Sequence, residues 1–177
     1  GGRFDGQSPW TEFIIECQPV DAALTQLNEN GLTMIIAEGL AKSPDSIANL
    51  KSTNAMIYAM AARQATAKKV DNAILLNTHG NVIETTLANI YCVHGDTIYT
   101  PPLSEGCIAG VMRRYIMQQL PAKGLNIVER PFTLDFLKTA DAVFTTNAIR
   151  RLKWVGNIEG TQYNIGKTLD IYEQIRY

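Results

Sequence analysis

Apolar positions along the chain follow two periods. Through the middle they come in short runs of four to six, each bounded by Gly, Pro, Asn or Asp, a pattern that predicts strands. On this reading strands cover 11–17, 32–37, 73–77, 82–85, 89–93, 97–99, 126–130 and 142–145. Thr78-His79-Gly80-Asn81 and His94-Gly95-Asp96 lie between strand pairs, as turns of antiparallel hairpins do. Elsewhere good helix formers cluster. The segment 53–69 (TNAMIYAMAARQATAKK) predicts a helix, and 111–120 another, opened by Gly110 and ended by Pro121 and Gly124. Asp21 is placed to cap a helix running to about Asn30, with Gly31 at the position of a terminating glycine. Thr133 caps a short helix through Thr139, and the tail alternates turns with a last helix near 168–175. Residues 41–50 read as a loop, punctuated by Ser43-Pro44-Asp45. Strands and helices are mixed, and neither a repeat nor a linker divides the chain.

Composition narrows the class. At 177 residues the chain is one domain, or two at most, and long enough for a sizeable core. Apolar residues are 46% and charged residues 19%, which excludes intrinsic disorder. Sixteen basic residues against seventeen acidic ones leave a net charge of −1, without the basic footprint of a nucleic-acid binder. No apolar run approaches the roughly 20 residues of a membrane helix. Residues 1–9 are polar and Gly-rich, unlike a signal peptide. Cys17, Cys92 and Cys107 lack C-x-x-C spacing, which argues against a disulfide framework or a zinc cluster. A reducing, cytoplasmic setting is the expectation.

Four features could carry chemistry. Lys51 precedes a helix, whose positive end disfavours an ammonium and keeps an amine nucleophilic enough for Schiff-base chemistry; the alternative is a solvated loop lysine. Glu84 follows apolar Val82 and Ile83, and a carboxylate drawn inward needs a cationic partner such as a protonated pyridine; otherwise it faces water at a strand end. Gly106-Cys-Ile-Ala-Gly110-Val-Met-Arg leads into a helix, where backbone N–H groups make a phosphate cradle. It lacks the Gly-Lys-Ser/Thr of an ATP-binding loop. Thr145-Thr146-Asn147-Ala148 offers hydroxyls and an amide after a strand, or simply a capped turn. His79 and His94 sit beside glycines in turns and read as solvated.

In order, these pieces form a longer pattern. Lys51-Ser-Thr-Asn is followed by an alanine-rich helix, then by Asp71-Asn-Ala-Ile-Leu-Leu-Asn-Thr-His-Gly-Asn-Val-Ile-Glu84-Thr-Thr-Leu-Ala-Asn89. Thr100-Pro-Pro-Leu-Ser-Glu-Gly-Cys-Ile-Ala-Gly110-Val-Met-Arg113 and Ala140-Asp-Ala-Val-Phe-Thr-Thr-Asn147 complete it. The series resembles the class IV (fold type IV) pyridoxal-phosphate enzymes, over about residues 1–155.

The resemblance implies an α+β cofactor-binding large domain with an antiparallel-rich sheet or pseudo-barrel and flanking helices. It makes Lys51 the lysine that bonds to pyridoxal 5′-phosphate and later moves the proton. Glu84 becomes the partner of the ring nitrogen, and Ile108 packs on the ring. Val111 and Met112 offer backbone N–H groups to the phosphate, Asn147 joins the cofactor-binding set, and Asn89 supports the site. It implies a small-molecule amino substrate and a homodimer. The family also carries a preceding small domain; residues 1–10 look like the junction to it and 11–177 like the large domain. A tyrosine that usually closes the lysine motif is absent, with Ala55 near its place.

Within the family, aminotransferases usually keep threonines where Met112 and Ala148 stand, whereas Gly110-Val-Met-Arg and Asn147-Ala148-Ile149 look like the aminodeoxychorismate lyases. That implies a lyase releasing 4-aminobenzoate and pyruvate in folate biosynthesis. The alternatives are an aminotransferase for D- or branched-chain amino acids, and a non-catalytic fragment.

Overall fold

The computed structural model describes residues 13–175. In chain order its elements are β1 (Leu32–Lys42), α1 (Met56–Ala67), β2 (Asn72–Asn77), β3 (Val82–Thr85), β4 (Asn89–His94) and β5 (Thr97–Thr100). Then come α2 (Val111–Ala122), β6 (Asn126–Glu129), α3 (Leu134–Lys138), β7 (Ala142–Asn147), β8 (Arg151–Ile158), β9 (Thr161–Gln162) and α4 (Gly166–Gln174).

Strands follow one another as β3-β2-β1-β8-β7-β4, and β4 pairs back onto β3. Six strands therefore make a closed ring, which β5 and β6 extend from β4. Pairs β1–β2, β1–β8 and β5–β6 are parallel and the rest antiparallel, so the expected antiparallel-rich pseudo-barrel is the fold observed. Period-two alternation sorts side chains between layers. Met34, Ile74, Val82, Ile90, Val143 and Val155 come from all six strands into one cluster, the filled interior of the ring. Their neighbours point outward: Ile35, Ala73, Leu75 and Ile83 pack against α1, and Tyr91, Val93, Ala142 and Phe144 against α2 and α4. Ala61 and Ala65 are the buried positions of α1, and residues this small bring the helix close to β1 and β2.

Five expectations need correction. The strand expected over 11–17 is absent from its described part: Phe13, Ile14 and Ile15 are 79%, 88% and 78% exposed, with no neighbouring strand to pair with. The helix after Asp21 is a single 3-10 turn, Ala22–Thr25, capped by Asp21 through Ala23 N–H. Gly31 does not terminate it. A Cβ there would lie 2.4 Å from Gly156 Cα, so this glycine is set by the close crossing of the chain onto β8. Pro121 is taken into the last turn of α2, which Gly124 stops at φ +79°. β8, a central strand, lies where only turns were expected. The proposed junction over 1–10 lies outside the described residues.

Candidate active site

One end of the ring carries a cleft of about 560 Å³, in the range of small-molecule sites. Four pieces converge on it: the β3–β4 turn, the β7–β8 turn, the loop entering α2, and the segment before α1. Lys51, Glu84, Ile108, Val111, Met112 and Asn147, far apart in sequence, all line it.

Glu84 is the buried charge of the site, 2% exposed on β3. Its Oε1 accepts from Lys42 Nζ at 2.8 Å and from the Tyr58 hydroxyl at 2.7 Å. Its Oε2 accepts from Ile108 N–H at 3.0 Å. A carboxylate has about four lone-pair sites, so one acceptor position remains, on Oε2. The cationic partner that a buried carboxylate requires is thus already present as Lys42, at the end of β1.

Tyr58 stands between two lysines. Lys42 Nζ donates to its oxygen at 2.5 Å and lies 5.2 Å from the ring centroid, while Lys51 Nζ lies 5.5 Å from it. Burial, then the Glu84 charge, holds the Tyr58 hydroxyl far above the usual phenol range. Lys51 is exposed, and among the described residues no carboxylate pairs with it. It precedes the first residue of α1 by five positions, beyond the first turn in which a helix dipole acts. The helix-end placement expected of Lys51 is therefore not observed.

The opposite wall is the start of α2. Gly110 caps it without any side-chain bond, and Val111 and Met112 of its first turn line the cleft. Asn89 Nδ2 donates to Ile108 O at 2.8 Å, and a Cβ on Gly110 would stand 2.3 Å from Asn89 Oδ1. Asn49 Nδ2 clamps the same loop through Leu103 O (2.8 Å) and Cys107 O (2.6 Å). Asn147 Oδ1 accepts from Ile149 and Arg150 N–H, and its Nδ2 donates to Leu87 O. Its amide therefore ties the two turns of the cleft together.

Sequence reasoning missed Lys42, Tyr58 and Asn49. Tyr58 carries a signal of its own, a tyrosine in the first turn of an otherwise alanine-rich helix; Lys42 and Asn49 sit in what reads as a loop. His94 is not a simple solvated turn residue, since its ring stacks on Phe136 at 4.0 Å and Nε2 lies 3.1 Å from Phe136 O. Among the described residues no group of three His, Cys, Asp or Glu could hold a metal ion, and no helix is long and apolar enough to cross a membrane.

Comparison with known proteins shows the family of this chain. A family model described as amino-transferase class IV matches residues 3–158. The aminodeoxychorismate lyase of Vibrio harveyi is 29% identical over 137 residues, 77% of this chain and 51% of that protein. The D-alanine aminotransferase of Bacillus licheniformis is 30% identical over 138 residues, 78% of this chain and 47% of that protein. The chain spans about half the length of these relatives. The branched-chain amino acid aminotransferase of Thermobaculum terrenum, solved in its pyridoxal-phosphate form, has the same fold: TM-score 0.78 at 20% identity, over 89% of this chain and 54% of that one. With the family model covering most of its length, the chain belongs to the class IV aminotransferases, a pyridoxal-phosphate-dependent family.

Proposed function

We propose that this chain carries the cofactor-binding part of a class IV enzyme of the aminodeoxychorismate lyase type, acting on a small amino substrate. What supports the reading is the convergence of Lys51, Glu84, Ile108 and the α2 N-terminus on one cleft. The residues present fit pyridoxal phosphate by their donor set. Glu84 keeps one acceptor position for a protonated ring nitrogen, the start of α2 carries no side-chain cap and suits a phosphate, and Gly110 lets Asn89 pack directly against the loop that leads into that helix.

When bound, the cofactor supplies an aldehyde that couples to amines and a ring that takes up electrons. The rest belongs to the chain. Lys51 Nζ, exposed and unpaired with any described carboxylate, is the amine that would hold the cofactor through its aldehyde and, once free, would serve as the base for the proton on the substrate carbon bearing nitrogen. Glu84 Oε2 would accept from a protonated ring nitrogen. Asn89 and Asn49 keep the phosphate loop in place, and Ile108 offers an apolar surface to the ring.

Met112 and Ala148, both on the cleft, favour the lyase, because related aminotransferases keep threonines in their place. Leu24, Leu87, Val111 and Ile149 are exposed apolar residues at the cleft, which supports a complete enzyme, of a length nearer its relatives' and acting as a homodimer, in which further protein covers the mouth. The test is turnover of aminodeoxychorismate by the complete protein. Steady formation of 4-aminobenzoate without a keto acid is expected; a halt after one equivalent, relieved by 2-oxoglutarate or pyruvate, identifies an aminotransferase instead.

A further inference from the structure

Two lysines flank Tyr58, and the structure gives them opposite surroundings. Lys51 is exposed. Lys42 is 12% exposed, and each of its three ammonium hydrogens has an acceptor: Ala48 O at 2.8 Å, Tyr58 Oη at 2.5 Å and Glu84 Oε1 at 2.8 Å. An ammonium so enclosed has no hydrogen left for a further partner. It arrives from β1, outside every motif that marks the site.

We propose that Lys42 is a positioning residue of this site: with Tyr58 it fixes one oxygen of Glu84, and by neutralising that carboxylate it limits how firmly Glu84 holds a proton on a bound ring nitrogen. The proposal rests on the reading that Glu84 faces that nitrogen. Before any ligand arrives, the Lys42–Glu84 pair sums to zero charge. A protonated ring nitrogen then adds a second cation to a single buried anion, where charges are weakly screened. A lone glutamate would hold the proton more firmly. The groups facing Glu84 are Lys42 from β1, Tyr58 from α1 and Cys107 from the loop before α2, with Lys51 across the Tyr58 ring. Tyr58 stays neutral, and burial pushes the Cys107 thiol up to about 11, so neither adds charge near neutral pH. The balance is left to the two lysines and Glu84.

Two measurements test this. In the cofactor-free protein, limited acetylation read by mass spectrometry is expected to label Lys51 early and Lys42 late, and Glu84→Gln is expected to speed labelling of Lys42 about tenfold, as a charge-assisted hydrogen bond is lost. Equal labelling of Lys42 and Lys51 in the wild type overturns the proposal. In protein loaded with pyridoxal phosphate carrying ¹⁵N in its ring, ¹⁵N NMR follows loss of the ring proton with pH. Lys42→Gln, which keeps polar contacts but removes the charge, is expected to raise that midpoint by about one pH unit, and Lys42→Arg to restore it. An unchanged midpoint in Lys42→Gln overturns the proposal while leaving the site reading intact, provided Glu84→Gln lowers it. If Glu84→Gln also leaves the midpoint in place, Glu84 does not face the nitrogen and both fall.

Discussion

The side-chain oxygen of Asn89 lies where a Cβ on Gly110 would need to be, 2.3 Å from it. The asparagine cannot simply step aside, because its amide nitrogen holds Ile108 O at 2.8 Å. Gly110 is therefore required by a neighbour and not by its own φ of −65°, which any residue adopts. Gly110→Ala is expected to cost about 1–3 kcal/mol, the usual price of overpacking, and to weaken pyridoxal phosphate binding. Adding Asn89→Ala relieves the clash, so the double variant is expected to melt higher than the sum of the two single changes predicts. Strict additivity would show that the two residues do not meet.

Borohydride reduction in the presence of pyridoxal phosphate is expected to leave the pyridoxyl mass on the Lys51 peptide and to leave none with Lys51→Ala. Lys42 has its ammonium hydrogens occupied, and Lys68 is paired with Glu38 on the surface. Adducts at Lys42, Lys68 or Lys69 in the wild type would overturn the role given to Lys51.

Glu84→Ala leaves the Lys42 ammonium without its anion in a site where the two side chains are 12% and 3% exposed. Removing one partner of a buried pair typically costs about 3–5 kcal/mol, so a large fall in the urea midpoint is expected. Turnover is expected to drop by about 10²–10³, the usual effect of losing one positioned electrostatic contact. Unchanged turnover in folded protein would reduce Glu84 to a structural role.

Burial pushes the Cys92 thiol up to about 12 and Cys107 up to about 11, from an ordinary 9.0. Tyr163 moves from 10.0 to about 12 for the same reason. Each folded-state value lies above the unfolded one, so the unfolded chain loses these protons first. Their contribution to stability is complete below about pH 9 and is lost as pH rises through about 11 to 12. Urea midpoints are expected to hold between neutral pH and about pH 8.5 and to fall by about pH 10.5. At neutral pH a thiol reagent is expected to modify exposed Cys17 alone, with Cys92 and Cys107 reacting only after denaturation. Three reactive thiols in the native protein would contradict the buried positions.

Much of the site was legible because its residues lie in short, ordered motifs, each of which folds into one turn or helix start. Position alone leaves Glu84 between facing inward and facing water; only the family resemblance turns it inward, onto what proves a fully buried strand. Lys42 could not be placed, since its partner is 42 residues away and only the pairing of β1 with β2 and of β2 with β3 brings them together. β8 was hidden by Arg151, Lys153 and Gly156, although Leu152, Val155 and Ile158 are fully buried. The 11–17 segment failed in the opposite sense: local β preference without a partner strand makes no ladder among its described residues.

The ring of strands is sewn shut at its narrowest point by one register pair, Glu84 with Asn89, and Asn89 is paired in turn with Thr146 on β7. A ligand gripped by Glu84 on one side and by the loop that Asn89 holds on the other would bridge that seam like a rivet. Binding and barrel closure would then draw on the same free energy, so a holder of this cofactor would loosen where it is emptied.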